Sequence, residues 1–176
     1  VHDLKAVIRS IPDFPKPGII FRDITTLLSD PEAYKEALDE FEEYFREKGV
    51  TRIAAIDSRG FIFGGALADR MSVPLAIIRK KGKLPYKTIH EEYALEYGTD
   101  TLEMHIDAIE KGDKVAVIDD LLATGGTLEA SCKMVEKLGG EVAVIGVVIE
   151  LSFLKGRDKL SGYDIKALID YDTEAV

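Results

Sequence analysis

Two adjacent carboxylates, Asp119 and Asp120, stand immediately before Leu121-Leu122-Ala123-Thr124-Gly125-Gly126-Thr127. Ahead of them, the apolar run from Val115 to Ile118 suits a buried strand. Behind them, Leu128, Cys132, Val135 and Leu138 recur at helical spacing up to the stop signal Gly139-Gly140. The spacing therefore predicts a loop that joins a strand to a helix. Backbone N–H groups at such a helix start lack intrahelical partners and carry the positive end of the helix dipole, so they suit a dianionic phosphate. Gly125 and Gly126 let the chain come close to it, and Thr124 and Thr127 can add hydroxyl donors. The Lys-Ser/Thr pair of a nucleotide-triphosphate loop is missing, and the acidic doublet stands in front instead. Carboxylates repel phosphate oxygens but accept well from two neighbouring hydroxyls. A phosphate cradle beside an acidic doublet thus points to a sugar phosphate with a free cis-diol, such as ribose 5-phosphate. The plainer alternative is a strand-turn-helix corner whose glycines only serve packing.

A second charged feature lies upstream. Arg79, Lys80, Lys81, Lys83 and Lys87 form a local cationic stretch in a chain whose formal charge is −9. Such a run is ordinarily a solvated face, but a polyanionic substrate is already implied, and pyrophosphate binding fits it. The overall negative charge argues against general nucleic-acid binding. His2, His90 and His105 show no metal-ligand spacing. Cys132 is the single cysteine, so no internal disulfide can form, and its place on the apolar side of the helix marks it as a core residue. No apolar run reaches the length of a membrane span, and Val1-His2-Asp3-Leu4-Lys5 lacks the order of a secretory signal, so a cytoplasmic location is expected.

The elements that must position these groups read as one α/β domain over 1–176, a length that supports one well-buried core. Residues 3–10 suggest a short helix, ended by Ile11-Pro12. Pro12, Pro15, Pro17 and Gly18 then hold the chain extended into Ile19-Ile20-Phe21, either as a stiff flap over a site or as a packed arm. Asp30-Pro31 is a helix start, and Tyr34, Ala37, Leu38, Phe41 and Phe45 give that helix an apolar face up to Gly49. Ile53 to Ile56 forms a strand ending in Asp57-Ser58-Arg59-Gly60, a helix follows from Phe61 to Arg70, and Val73 to Ile78 is a second strand feeding the basic stretch. Tyr86 to Gly98 reads as a long loop or hairpin of the kind that serves as a lid. Val115 to Ile118, Val142 to Ile149 and Ile165 to Ile169 supply three more strands. Alternating strands and helices imply a mostly parallel central sheet flanked by helices, with ligands beyond the carboxyl ends of the strands where the strand order switches.

Asp119-Asp120-Leu121-Leu122-Ala123-Thr124-Gly125-Gly126-Thr127 resembles the phosphoribosyl-pyrophosphate motif of the type I phosphoribosyltransferases, and its Leu121-Leu122 version resembles the adenine-using members. The resemblance runs from Phe14-Pro-Lys-Pro-Gly-Ile-Ile-Phe-Arg-Asp23 to the strand near residue 150. It implies a single domain with an N-terminal arm and base-binding hood over 1–30 and a lid over 79–105. The implied reaction joins adenine to the phosphoribosyl group of phosphoribosyl pyrophosphate, giving AMP and pyrophosphate in a homodimeric purine-salvage enzyme.

By the same resemblance, Asp57-Ser58-Arg59-Gly60-Phe61 is a pyrophosphate loop, with Asp57 where glutamate is more usual and with a cis Ser58–Arg59 peptide. Ser58, Arg59, Lys80 and Lys83 would bind pyrophosphate, and Arg79 would reach into a neighbouring subunit. Ala94-Leu95-Glu96-Tyr97-Gly98 matches the lid motif, which implies Glu96 as acid/base and Tyr97 as a closing residue. Phe21 and Leu121 would sandwich the adenine ring, with backbone groups of Ile20 and Arg22 at its edge; Phe21 is otherwise an ordinary core aromatic. Mg²⁺ would be held by pyrophosphate, ribose hydroxyls and water rather than by protein ligands. Competing readings are a xanthine- or hypoxanthine/guanine-using relative and a purine-sensing regulator; the regulator is expected to carry an added DNA-binding module and a basic face.

Overall fold

In the computed structural model, which describes residues 3–95 and 97–174, seven strands form one sheet in the order β5-β6-β4-β3-β7-β8-β9. The parallel part comprises β4 (Leu75–Lys80), β3 (Arg52–Ile56), β7 (Lys114–Leu122), β8 (Glu141–Leu151) and β9 (Ile165–Tyr171). Their valine- and isoleucine-rich runs are what burial on both faces requires. On one edge, β6 (Thr99–His105) runs antiparallel to β4, and β5 (Thr88–Ala94) folds back on β6 as a hairpin. A separate two-stranded antiparallel pair, β1 (Arg9–Pro12) with β2 (Ile20–Asp23), makes the N-terminal arm.

Helices cover both faces. The short α1 (Thr25–Leu28) leads into α2 (Pro31–Glu47), whose start is fixed by Pro31 and by the Asp30 side chain, which accepts from the N–H groups of Glu32 and Ala33. Ala33, Ala37, Leu38, Phe41 and Phe45 form its buried stripe, and Phe41 meets Phe45 and Phe63 ring to ring, at 5.6 and 6.3 Å between centroids. Phe63 belongs to α3 (Arg59–Met71), so α2 and α3 share one core with the sheet face they cover. On the other face α4 (Gly126–Lys137) buries Leu128, Met134 and Val135 against Val115, Val117 and Ile145. Cys132 is fully buried in that layer, and desolvation pushes its thiol well above the usual range, as befits a core residue rather than a nucleophile.

From β3 the chain crosses through α3 to β4 on one side, while from β7 it crosses through α4 to β8 on the other. The strand order therefore switches between β3 and β7, and the two loops leaving their carboxyl ends face each other across the crevice.

Several expectations change. Residues 3–10 are a single 3-10 turn, Leu4–Val7, followed by β1. A helix that short is not self-sustaining, and cross-strand pairing with β2 offers Arg9 to Pro12 a better set of backbone partners. Of the two readings of the segment from Tyr86, loop or hairpin, the structure shows the hairpin, β5–β6; β7, by contrast, continues past Ile118 through Asp119, Asp120, Leu121 and Leu122, so the loop proper begins at Ala123.

The arm is tied down at Asp23, which is buried. The Thr25 N–H donates to Asp23 Oδ1 at 2.9 Å, and Arg9 Nη2 donates to Asp23 Oδ2 at 2.6 Å. The Thr25 backbone bond, opposed by desolvation and helped by the Thr25 hydroxyl and Arg9, holds this carboxyl below its ordinary range. A lowered folded value means that the stabilisation is present above the unfolded carboxylate pKa and is lost as pH falls through the folded one. Asp23→Ala is expected to cost about 1 to 2 kcal/mol of unfolding free energy at pH 7 and much less at pH 3. Denaturant titrations at the two pH values check this; an equal loss at both would exclude an ionised Asp23 as the source.

Candidate active site

A cavity of about 840 Å³ opens at the switch between β3 and β7. Asp57, Ser58 and Arg59 enter it from the β3–α3 junction, Asp119, Asp120 and Leu121 from the end of β7, and Ala123 to Leu128 from the loop and first turn of α4. Lys80 closes it from β4, and Tyr93, Ala94 and Leu95 from the β5–β6 hairpin. The ends of β3 and β7 thus meet in one cavity, and of the basic stretch that follows Ile78 only Lys80 lines it.

The loop at 123–127 is shaped by close packing. Gly125 caps α4 in the left-handed region, with φ of 91°, which disfavours a side chain. A Cβ on it would fall 2.7 Å from the Gly156 carbonyl oxygen, and a Cβ on Gly156 would fall 2.4 Å from that of Ala123. The loop is thus clamped between α4 and the 3-10 turn Gly156–Leu160, with the N–H groups of the α4 start bordering the cavity.

The acidic doublet is electrostatically strained. The Asp120 N–H donates to Asp119 Oδ1 at 2.8 Å, and Asp120 Oδ2 accepts from Arg59 Nε at 2.6 Å. Desolvation, followed by the adjacent Asp120 charge, drives the Asp119 carboxyl well above the usual carboxylate range. Two hydroxyls donated to the pair would relieve both effects. Lys80 Nζ lies 3.2 Å from Asp100 Oδ2, and the Arg59 guanidinium carbon lies 5.9 Å from the Phe21 ring centroid, which sets the two-stranded arm beside the cavity wall.

Other expected residues stand outside the cavity lining. Leu122 is buried in the core under α4, so only its backbone can serve a ligand. Arg79 Nε donates to Asp57 Oδ2 at 3.0 Å, which gives the aspartate in place of the more usual glutamate a partner, and neither Arg79 nor Lys83 lines the cavity. Ile20, Phe21 and Arg22 lie on β2; the Ile20 N–H donates to Glu174 Oε1 at 3.3 Å, and the Arg22 guanidinium lies over the Tyr171 ring at 3.9 Å. Tyr97 is 86% exposed at the hairpin tip, and Glu96 lies outside the described residues. The cis peptide falls at Asp57–Ser58, one bond before the expected Ser58–Arg59. Lys159 lines the cavity from the 3-10 turn, and no local pattern in the sequence marks it. Among the described residues, no group of three or more His, Cys, Asp or Glu is placed to hold a metal ion, and no helix is long and apolar enough to cross a membrane.

This fold and site have counterparts. The phosphoribosyl transferase domain family matches residues 23–172. The adenine phosphoribosyltransferase of Acetivibrio thermocellus is 56% identical over 172 residues, covering 96% of this chain and 99% of the relative. The crystal structure of the Thermoanaerobacter pseudethanolicus adenine phosphoribosyltransferase superposes with a TM-score of 0.92 at 50% identity, covering 96% and 98% of the two chains. The Saccharomyces cerevisiae adenine phosphoribosyltransferase, complexed with an imino-altritol bisphosphate and adenine, superposes with a TM-score of 0.89 at 37% identity, covering 94% and 96%. The chain belongs to the phosphoribosyltransferases, in their adenine phosphoribosyltransferase branch.

Proposed function

We propose that the protein transfers the 5-phosphoribosyl group from phosphoribosyl pyrophosphate to adenine, releasing AMP and pyrophosphate and returning a free purine base to the nucleotide pool of the cytoplasm. The observation that carries this reading is the joining, in one cavity, of an amide- and hydroxyl-lined loop at 123–127 with the carboxylate pair Asp119-Asp120. The solved yeast relative, holding adenine together with a sugar bisphosphate mimic, supports it.

In the reaction the C1–oxygen bond to pyrophosphate breaks, a purine ring nitrogen bonds to C1 from the opposite face, and the proton of that nitrogen must leave. The 5-phosphate sits on the 123–127 loop and the diol on Asp119 and Asp120, whose negative charge also favours the cationic ribose of the transition state. Arg59 presents its terminal N–H groups to the pyrophosphate while Asp120 holds Nε, and Lys80, with Lys83 from the adjoining basic stretch, adds charge. Glu96 takes the proton, with Tyr97 closing over the site. Phe21 and Leu121 flank the adenine, and backbone groups of Ile20 and Arg22 read its edge, the base taking the place of the Glu174 carboxylate on the Ile20 N–H. Backbone groups matched to a 6-amino purine are left unpaired by a 6-oxo purine, which can supply orders of magnitude in discrimination.

The carboxylates lining the cavity fit a Mg²⁺ that substrate oxygens and water would hold: Asp57 is engaged by Arg79 and Asp120 by Arg59, and among the described residues no cluster of three or more ligating side chains would compete for the ion. When bound, the ion neutralises charge on the departing pyrophosphate. The reading further takes the protein as a homodimer in which Arg79, paired here with Asp57, reaches the site of the second copy. Sedimentation should accordingly give twice the chain mass of 19.4 kDa, and a monomer in active preparations would remove that role.

The direct test is AMP formation from phosphoribosyl pyrophosphate with Mg²⁺ and a panel of bases. Adenine is expected to outrun hypoxanthine, guanine and xanthine by at least about a hundredfold in kcat/KM. A faster 6-oxo purine would reassign the base, and binding of purines without product would point to a regulator.

A further inference from the structure

The loop that cradles the phosphate carries no cation of its own: residues 123–127 are Ala, Thr, Gly, Gly and Thr, and the first turn of α4 adds Glu129. Amide dipoles alone would then face a dianion next to two aspartates. Three cationic side chains line the cavity. Arg59, at the start of α3, is paired with Asp120 at 2.6 Å, and Lys80, at the end of β4, is paired with Asp100 at 3.2 Å, so both already hold a carboxylate. The third is Lys159, which forms no ion pair among the described residues.

Its position is built. Lys159 lies in the 3-10 turn Gly156–Leu160, whose first residue is wedged against Ala123 and Gly125 so closely that a Cβ on Gly156 would collide with the Ala123 carbonyl. Two residues before Lys159, Arg157 donates from Nε and Nη2 to both carboxylate oxygens of buried Glu150 at 2.7 and 2.9 Å. The residue after it, Leu160, is buried under α4. The turn is therefore held to the loop and to β8 on either side of Lys159, which lines the cavity.

We infer that Lys159 is the cation that recognises the 5-phosphate, in the donor and in AMP alike, from the turn packed against the loop. The inference rests on the proposed function and adds a specificity residue to it. A lysine in this place supplies from another segment the point charge that nucleotide-triphosphate loops carry within their own motif.

Calorimetric titration of AMP and, separately, of pyrophosphate with Mg²⁺ into the wild type and the Lys159→Gln and Lys159→Arg variants tests it. Lys159→Gln is expected to raise the Kd of AMP about tenfold and the KM of phosphoribosyl pyrophosphate comparably, with pyrophosphate affinity and kcat at saturating donor changed less than about threefold. Lys159→Arg should recover most of the loss. AMP affinity unchanged in Lys159→Gln, or an equal or larger loss for pyrophosphate, would overturn the assignment. A wild type that binds no AMP would instead fail the functional reading itself, so the two failures are distinguishable.

Discussion

Replacing Asp119 and Asp120 together with asparagine is expected to raise the KM for phosphoribosyl pyrophosphate about a hundredfold while leaving the KM for adenine nearly unchanged. Two hydroxyl-to-carboxylate bonds are lost, each worth roughly 1.5 to 3 kcal/mol when charge-assisted, and weaker amide acceptors replace them. Relief of repulsion between the carboxylates and the donor's phosphates works the other way, but it is the smaller effect because Arg59 already partly neutralises Asp120. The same change should stabilise the substrate-free protein. Burial and the neighbouring charge raise the folded pKa of Asp119, so its ionised form opposes folding at neutral pH, and a neutral side chain removes that penalty. Steady-state kinetics and thermal unfolding on one preparation read both effects. Unchanged donor KM would remove the diol contact, and a lowered melting temperature would contradict the strain assigned to the doublet.

Glu96→Gln should lower kcat by about two to three orders of magnitude, with donor KM and AMP affinity changed only a fewfold. General acid or base transfer contributes about 10² to 10⁴ in rate, and an isosteric amide keeps contacts while losing the proton acceptor. The acid limb of the kcat profile should disappear in the variant. Equal losses in kcat and donor binding, or none in kcat, would take Glu96 out of proton transfer.

The chemistry of the site was more legible than its framework. Asp119 to Thr127 stands out because the hydrophobic period switches from strand to helix around it, and such a switch fixes where the loop must lie whatever surrounds it. The start of α2 was equally plain, since Asp30 and Pro31 act on their own backbone. Strand β1 left no comparable trace, as Arg9 to Pro12 is extended only because β2 is there to pair with it. The end of β7 is hidden for a related reason: Asp119 and Asp120 look like loop residues, and only pairing with β8 from Val147 onward continues the ladder through them. Pairing of Arg79 with Asp57 and the arrival of Lys159 at the cavity join residues 22 and more than 30 positions from their neighbours in the site, and local spacing holds no record of such meetings. Leu122 shows the converse, a motif residue whose strand alternation sends its side chain into the core and leaves only its backbone for a ligand.

The most direct measurement is a crystal structure of the protein with AMP. The 5-phosphate should lie on the N–H groups and hydroxyls of residues 124–127, with the ribose diol within hydrogen-bond distance of the Asp119 and Asp120 carboxylates and the adenine against Phe21. AMP bound with its phosphate away from that loop, or with its diol turned from the two aspartates, would contradict the assignment on which the proposed activity depends.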